Sequence, residues 1–187
     1  MTEPLTEPSE PLRTVPEEVV VLVGNPRPRS RTRAAAESVG RAVAAHRGLE
    51  EGRTIDLADL APGLLLPDRP EVDEALGAVA SARYLVVATP VYKASYTGLL
   101  KVFLDRFGPR GLDGVPAVPL VVSASPAHAR AGDDHLRPLL VELGAAVPPA
   151  SFALLESELG GVDQRAADWV SGWLGDPAPG RPLEAAR

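Results

Sequence analysis

Residues 19–33 read VVVLVGNPRPRSRTR. The first five are β-branched or leucine without a polar interruption, the pattern of a strand buried on both faces. Gly24 closes that run. The next nine positions hold two prolines, four arginines, one serine and one threonine. From Ser30 the periodicity becomes helical: Ala36, Val39 and Val43 make a narrow apolar stripe, with Arg33, Glu37 and Arg41 on the other side. A buried strand therefore enters a helix through a stiff, basic turn. Such a turn presents unpaired backbone N–H groups and the positive end of a helix dipole. Ser30 and Thr32 add hydroxyls, Arg27, Arg29, Arg31 and Arg33 add guanidinium forks, and Pro26 and Pro28 stiffen the path. The turn alone is open to two readings, a phosphate site or an arginine-rich surface turn with an ordinary cap.

Outward from this stretch, strands and helices alternate. RTIDL (53–57) is a second strand, EVDEALGAVASA (71–82) a helix, and YLVVATPVY (84–92) begins a third strand that Pro90 ends. TGLLKVFLDRFG (97–108) is a helix capped by Thr97 and stopped by Gly108. Its apolar face holds Leu99, Leu100, Phe103, Leu104 and Phe107, and Lys101 can pair with Asp105. PAVPLVVSA (116–124) is a fourth strand. DDHLRPLLVELGA (133–145) is a helix in which Pro138 implies a kink or a late start. SFALLE (151–156) is a fifth strand, and VDQRAADWVSGWL (162–174) a closing helix. Alternation of this kind implies an α/β fold with a parallel sheet, wound as a three-layer sandwich by right-handed crossovers. Ligands then bind beyond the carboxyl ends of the strands, which here are GNPRPRSRT, TPVYKASYTG and SASPAH.

Composition narrows the function. The chain has 187 residues, suited to one domain, and a net charge of −6, which argues against nucleic acid as a main partner. It has no cysteine, so neither disulfide nor thiolate chemistry is available, and its three histidines form no metal-spaced pair. No stretch reaches membrane-spanning length, and the acidic, proline-rich N-terminus is unlike a signal peptide. A cytoplasmic protein is expected, with residues 1–16 a disordered arm, 17–175 the folded domain and 176–187 a disordered tail. Neither G-x-G-x-x-G nor G-x-x-x-x-G-K-[ST] occurs, which disfavours a Rossmann dinucleotide site and a P-loop.

ATPVYKASYTGLLKVFLDRF (88–107) resembles the signature segment of the NADPH-dependent FMN reductase family, the reductase partners of two-component flavin monooxygenases. GNPRPRSRT is similar to that family's phosphate loop, and VPLVVSASPAHARAGDDHLRPLLVELGA (118–145) to its third flavin loop and following helix. The resemblance runs from about Val19 to Glu158. It implies a flavodoxin-like five-stranded sheet of order 2-1-3-4-5, with FMN as cofactor and NADPH or NADH as hydride donor. It places Asn25, Arg27, Ser30 and Thr32 at the phosphate. Pro90, Val91, Tyr92, Lys93 and Ser95 would line the ribityl chain and one ring edge, and Ser123, Ala124 and Ser125 another. In the third loop Ser123 and Ala124 stand where the family typically has two glycines, so an altered ring position is expected. His128 matches a histidine common in the family, as a cap or a catalytic group. The resemblance further implies a homodimer or homotetramer, with the 96–107 helix at an interface, and reduced flavin passed to a monooxygenase or another acceptor. Two rivals stand beside this reading. One is a flavodoxin-type electron carrier; the other is a divergent member serving a biosynthetic step or acting as a non-enzymatic scaffold.

Overall fold

The computed structural model describes residues 19–175. The arm expected over 1–16 and the tail over 176–187 lie outside the described residues. In chain order the elements are β1 (Val19–Val23), α1 (Arg31–Arg47), β2 (Thr54–Asp56), α2 (Leu57–Leu60), α3 (Pro70–Ala80), β3 (Tyr84–Pro90), α4 (Gly98–Leu104), β4 (Ala117–Ser123), α5 (Pro126–Ala129), α6 (Arg137–Glu142), β5 (Phe152–Leu155) and α7 (Val162–Leu174). The five strands pair in parallel in the order β2-β1-β3-β4-β5.

Alternation along the strands sorts the core into two layers. Val19, Val21 and Val23 point with Val86, Ala88, Val118, Leu120 and Val122 toward α1 and α7, where Ala36, Val39, Val43, Ala166 and Val170 receive them. Val20, Leu22, Leu85, Val87 and Val121 point the other way, to Val72 and Val79 of α3, Leu100, Phe103 and Leu104 of α4, and Leu140 of α6. That is why β1 reads as an unbroken apolar run: none of its five residues faces water. Both tryptophans of the chain lie on α7, away from the carboxyl edge. Trp169 meets Phe152 edge-on at 5.5 Å and Trp173 at 5.7 Å, and Trp173 meets Tyr84 at 6.5 Å.

Three elements depart from the sequence reading. The first is α4, which ends at Leu104 rather than running to Gly108. Its last turn tightens into i→i+3 bonds, Arg106 N–H to Phe103 C=O and Phe107 N–H to Leu104 C=O, so Phe107 still packs on the core. Next, the single helix expected over 133–145 is two pieces, a π-helical turn at Gly132–Leu136 and α6, with the short α5 preceding them. Pro138 has no N–H and its ring would strike the Asp134 carbonyl in a regular α-turn, and the widened turn accommodates it. The third departure is α2, a short helix capped by Asp56 that the pattern did not reveal.

Two helical glycines sit in opposite surroundings. A Cβ on Gly40 of α1 would lie 2.7 Å from Cγ2 of Val21, whereas one on Gly77 of α3 would meet nothing within 4 Å. Alanine gains about 0.5–1 kcal/mol in helix propensity at either place, and overpacking of a buried site costs about 1–3 kcal/mol. Gly77→Ala is therefore expected to raise the urea unfolding midpoint and Gly40→Ala to lower it.

Candidate functional site

The loops after β1, β3 and β4 lie side by side at the carboxyl edge of the sheet. Backbone bonds carry the pairing to its end: Gly24 N–H donates to Ala88 C=O at 2.7 Å, and Val91 N–H to Val122 C=O at 2.9 Å. Beneath the first two loops sits a buried pair of threonines. Thr97 Oγ1 donates to Gly24 C=O at 2.5 Å and accepts from Leu100 N–H at 3.2 Å, capping α4. Thr97 N–H donates to Thr89 Oγ1 at 3.1 Å, and Thr89 Oγ1 donates to Pro90 C=O. Gly24 must be glycine here, since a Cβ would stand 2.5 Å from Leu100 Cβ.

In the first loop Asn25 is buried and faces inward. Its Nδ2 donates to Thr32 Oγ1 at 3.1 Å, and its Oδ1 accepts from Arg27 N–H at 3.0 Å. Asn25 and Thr32 thus brace the loop against the start of α1. Ser30 is the N-cap of α1, its Oγ accepting from Arg33 N–H at 3.2 Å, and its own hydroxyl proton stays available. The Arg31 and Thr32 amides belong to the set that a helix cannot satisfy internally.

The four arginines divide. Arg31 pairs with Glu156 at 2.8 Å. Arg33 pairs with Glu37 at 2.8 Å and lies 3.6 Å from Asp56. The hydrogen bond to Glu37, with the charges of Glu37 and Asp56, holds the Arg33 guanidinium above its ordinary value. Arg27 and Arg29 are exposed, and among the described residues no carboxylate pairs with either. Two open guanidiniums, the α1 amides and a hydroxyl proton are what a phosphate dianion requires, so the loop fits FMN at its phosphate end.

The second loop is a tight hairpin. Tyr92 N–H donates to Ser95 C=O at 2.8 Å and Ser95 N–H to Tyr92 C=O at 3.0 Å, with Lys93 (φ 50°) and Ala94 (φ 63°) left-handed between them. Each left-handed non-glycine residue costs about 1–2 kcal/mol. Tyr92 and Lys93 are exposed, Pro90, Val91 and Ser95 partly so. In the third loop Ser123 is buried and turned from the surface, its Oγ donating to Ser125 C=O at 3.1 Å. Ala124 is exposed and Ser125 half-buried at the start of α5. The surface where two glycines were typical therefore gains the Ala124 methyl but not the Ser123 hydroxyl. His128 is exposed on α5, and its backbone N–H donates to Ser125 C=O. All twelve residues singled out from the sequence lie on these three loops or their first flanking turn. The sequence reading missed Asp56 and Thr89, and took Thr97 for a cap alone. The cue for Asp56 was an N-capping residue directly before LADL.

Comparison with known proteins agrees with this arrangement. A family model described as NADPH-dependent FMN reductase matches residues 18–158. An FMN reductase (NADPH) of Escherichia coli strain K12 is 37% identical over 131 residues, covering 68% of this chain and 67% of that protein. An NADH-dependent FMN reductase, SfnE, of Pseudomonas putida is 32% identical over 151 residues, 78% of this chain and 81% of the relative. Among solved structures, the apo form of an NADH:FMN oxidoreductase (EMOB) superposes with a TM-score of 0.77 at 35% identity, covering 89% of this chain and 92% of that one. An archaeal flavodoxin, at 13% identity and a TM-score of 0.56, shares the fold.

Thr97→Val keeps the shape of the side chain and removes both of its oxygen-mediated bonds. Loss of a cap and a buried hydrogen bond is expected to cost about 2 kcal/mol. Thr97→Ser should recover most of that loss, as read from unfolding midpoints.

Proposed function

This chain belongs to the NADPH-dependent FMN reductase family, and from that premise we propose how its carboxyl edge performs the reaction. The protein is an NAD(P)H-dependent FMN reductase, an oxidoreductase with FMN and a reduced nicotinamide nucleotide as its reactants. FMN, when bound, supplies an electron-deficient ring that takes hydride at N5 from the nicotinamide. Everything else asked of the chain is binding, orientation and exposure of one ring face.

The observation that carries the assignment of parts is the pair of open guanidiniums, Arg27 and Arg29, beside the free amides of α1. Charge-assisted hydrogen bonds contribute about 1.5–3 kcal/mol each, and the helix terminus about 0.3–1 kcal/mol. Arg27, the Ser30 hydroxyl and the first-turn amides hold the phosphate, with Asn25 and Thr32 shaping the cradle from behind. Pro90, Val91, Tyr92, Lys93 and Ser95 support the ribityl chain and one edge of the ring. Ser123, Ala124 and Ser125 would support the other, where the exposed Ala124 adds a methyl that a glycine would lack. No side-chain nucleophile or proton donor is required, and His128 stays outside the reaction as part of the loop surface.

The reduced flavin passes to a flavin-dependent monooxygenase or another acceptor in the cytoplasm. No helix among the described residues is long and apolar enough to cross a membrane. A homodimer or homotetramer is supported by a groove of about 480 Å³ beside α4, lined by Leu64, Leu65, Leu66, Pro67 and Val102 with Asp105 and Arg106 at its side, in which Leu65 is 82% exposed.

Mixing protein, FMN and either NADPH or NADH without oxygen is expected to bleach the flavin band. Persistence of the band with both donors would refute the reductase assignment. Arg27→Ala is expected to weaken FMN binding about tenfold or more, the equivalent of roughly 1.4 kcal/mol, while leaving riboflavin binding unchanged. Fluorescence titration with the two flavins measures both.

A further inference from the structure

Below the basic loop lies an acidic group that the reaction does not use. Asp56 ends β2 opposite Val23 in the sheet register, and its side chain is 1% exposed. Its Oδ2 accepts from Arg29 N–H at 3.2 Å, and its Oδ1 accepts from Ala58 N–H at 3.2 Å, capping α2. Arg33 Nη1 lies 3.6 Å from Oδ2. Taken by itself, a carboxylate this close to an anion site works against the ligand by like-charge repulsion. A phosphate loop would do better without it unless it contributed something else.

What it contributes is the shape of the loop. Arg29 has φ 51°, a left-handed conformation that a non-glycine residue holds only against a cost. The bond from its N–H to Asp56 is the contact that pins this turn from the sheet side. The turn sits one residue before the Ser30 cap, so it fixes where α1 begins and where the Arg31 and Thr32 amides point. Arg33, already paired with Glu37, lies close enough to offset the buried charge without drawing on Arg27 or Arg29. Glu156 is the contrasting case. It pairs with Arg31 at the exposed surface and touches no amide of the loop.

We infer that Asp56 is a positioning residue of the phosphate site: it acts through the Arg29 amide to set the loop in its anion-binding form, and so governs selection of phosphorylated over unphosphorylated flavin. This rests on the reading of residues 24–33 as the phosphate loop. The side chain acts through the Arg29 and Ala58 amides and Arg33, and its effect is confined to the phosphate end, because the second and third loops are built without it.

The test is a pair of fluorescence titrations, FMN and riboflavin, on wild type, Asp56→Asn and Glu156→Gln. Wild type is expected to bind FMN at least about a hundredfold tighter than riboflavin. In Asp56→Asn one of the two carboxylate oxygens becomes an NH2 group, which donates and cannot accept, so the Arg29 and Ala58 amides no longer both keep their partner. The FMN preference is expected to shrink about tenfold or more while riboflavin affinity stays within about threefold, and Glu156→Gln is expected to keep the wild-type ratio. An Asp56→Asn protein with the wild-type ratio, or one in which both flavins weaken together, would overturn the positioning role. Equal affinity of wild type for the two flavins would instead overturn the phosphate loop itself, so the two failures are distinct. Should Asp56→Asn not fold, Asp56→Glu keeps the charge but shifts the carboxyl by one methylene, and it carries the same expectation.

Discussion

Gly24 and Leu100 approach each other more closely than any side chain at position 24 would allow, and the binding edge is built around that contact. Helix α4 packs down onto the end of β1 because Leu100, Phe103 and Leu104 are drawn into the layer that also buries Leu22 and Val87. The descent brings Thr97 within hydrogen-bond reach of the Gly24 carbonyl, and Thr89 takes the Thr97 amide. Hydrophobic burial in one layer thereby fixes the separation of two loops at the sheet edge. Their relative position is a by-product of the core, held by three polar groups that water does not reach.

Charge placement around the first loop follows a similar economy. The chain is acidic overall, yet four arginines fall within seven positions. Two of these are answered by carboxylates, Arg31 by the distant Glu156 and Arg33 by Glu37 one turn along α1 and by Asp56, and two are left open. The answered pair ties α1 to β2 and to the segment after β5. The open pair supplies local positive potential on a molecule whose net charge would repel an anion at long range.

How much of this could be read from the chain follows from which contacts are local. β1, β3 and β4 were legible because burial on both faces leaves an apolar run, and α7 spans the same residues, Val162–Leu174, as the helix read from the sequence. Although α4 and the 133–145 segment differ in extent, the pattern gave the buried face of α4 correctly. It could not show that Phe107 is held by a tightened turn, or that Pro138 is absorbed by a π-helical one. Loop residues with a family likeness lie together at the carboxyl edge of the sheet. Asp56 was not found, since its partner Arg29 lies 27 residues away and the sequence carries no mark of that bond. Ser123 looked like an obstruction, and only the fold reveals that its hydroxyl bonds within its own loop.

The left-handed Lys93 and Ala94 have a consequence for the order in which the molecule comes apart. A hairpin tip of that kind is unfavourable alone and exists because β3 below and α4 beyond hold its two ends. It contributes few buried apolar atoms of its own, so the free energy needed to open it is well below that of the sheet. The hairpin rim is thus a separate cooperative unit that frays while β1, β3 and β4 remain intact, and its amides exchange with solvent on a faster clock than theirs.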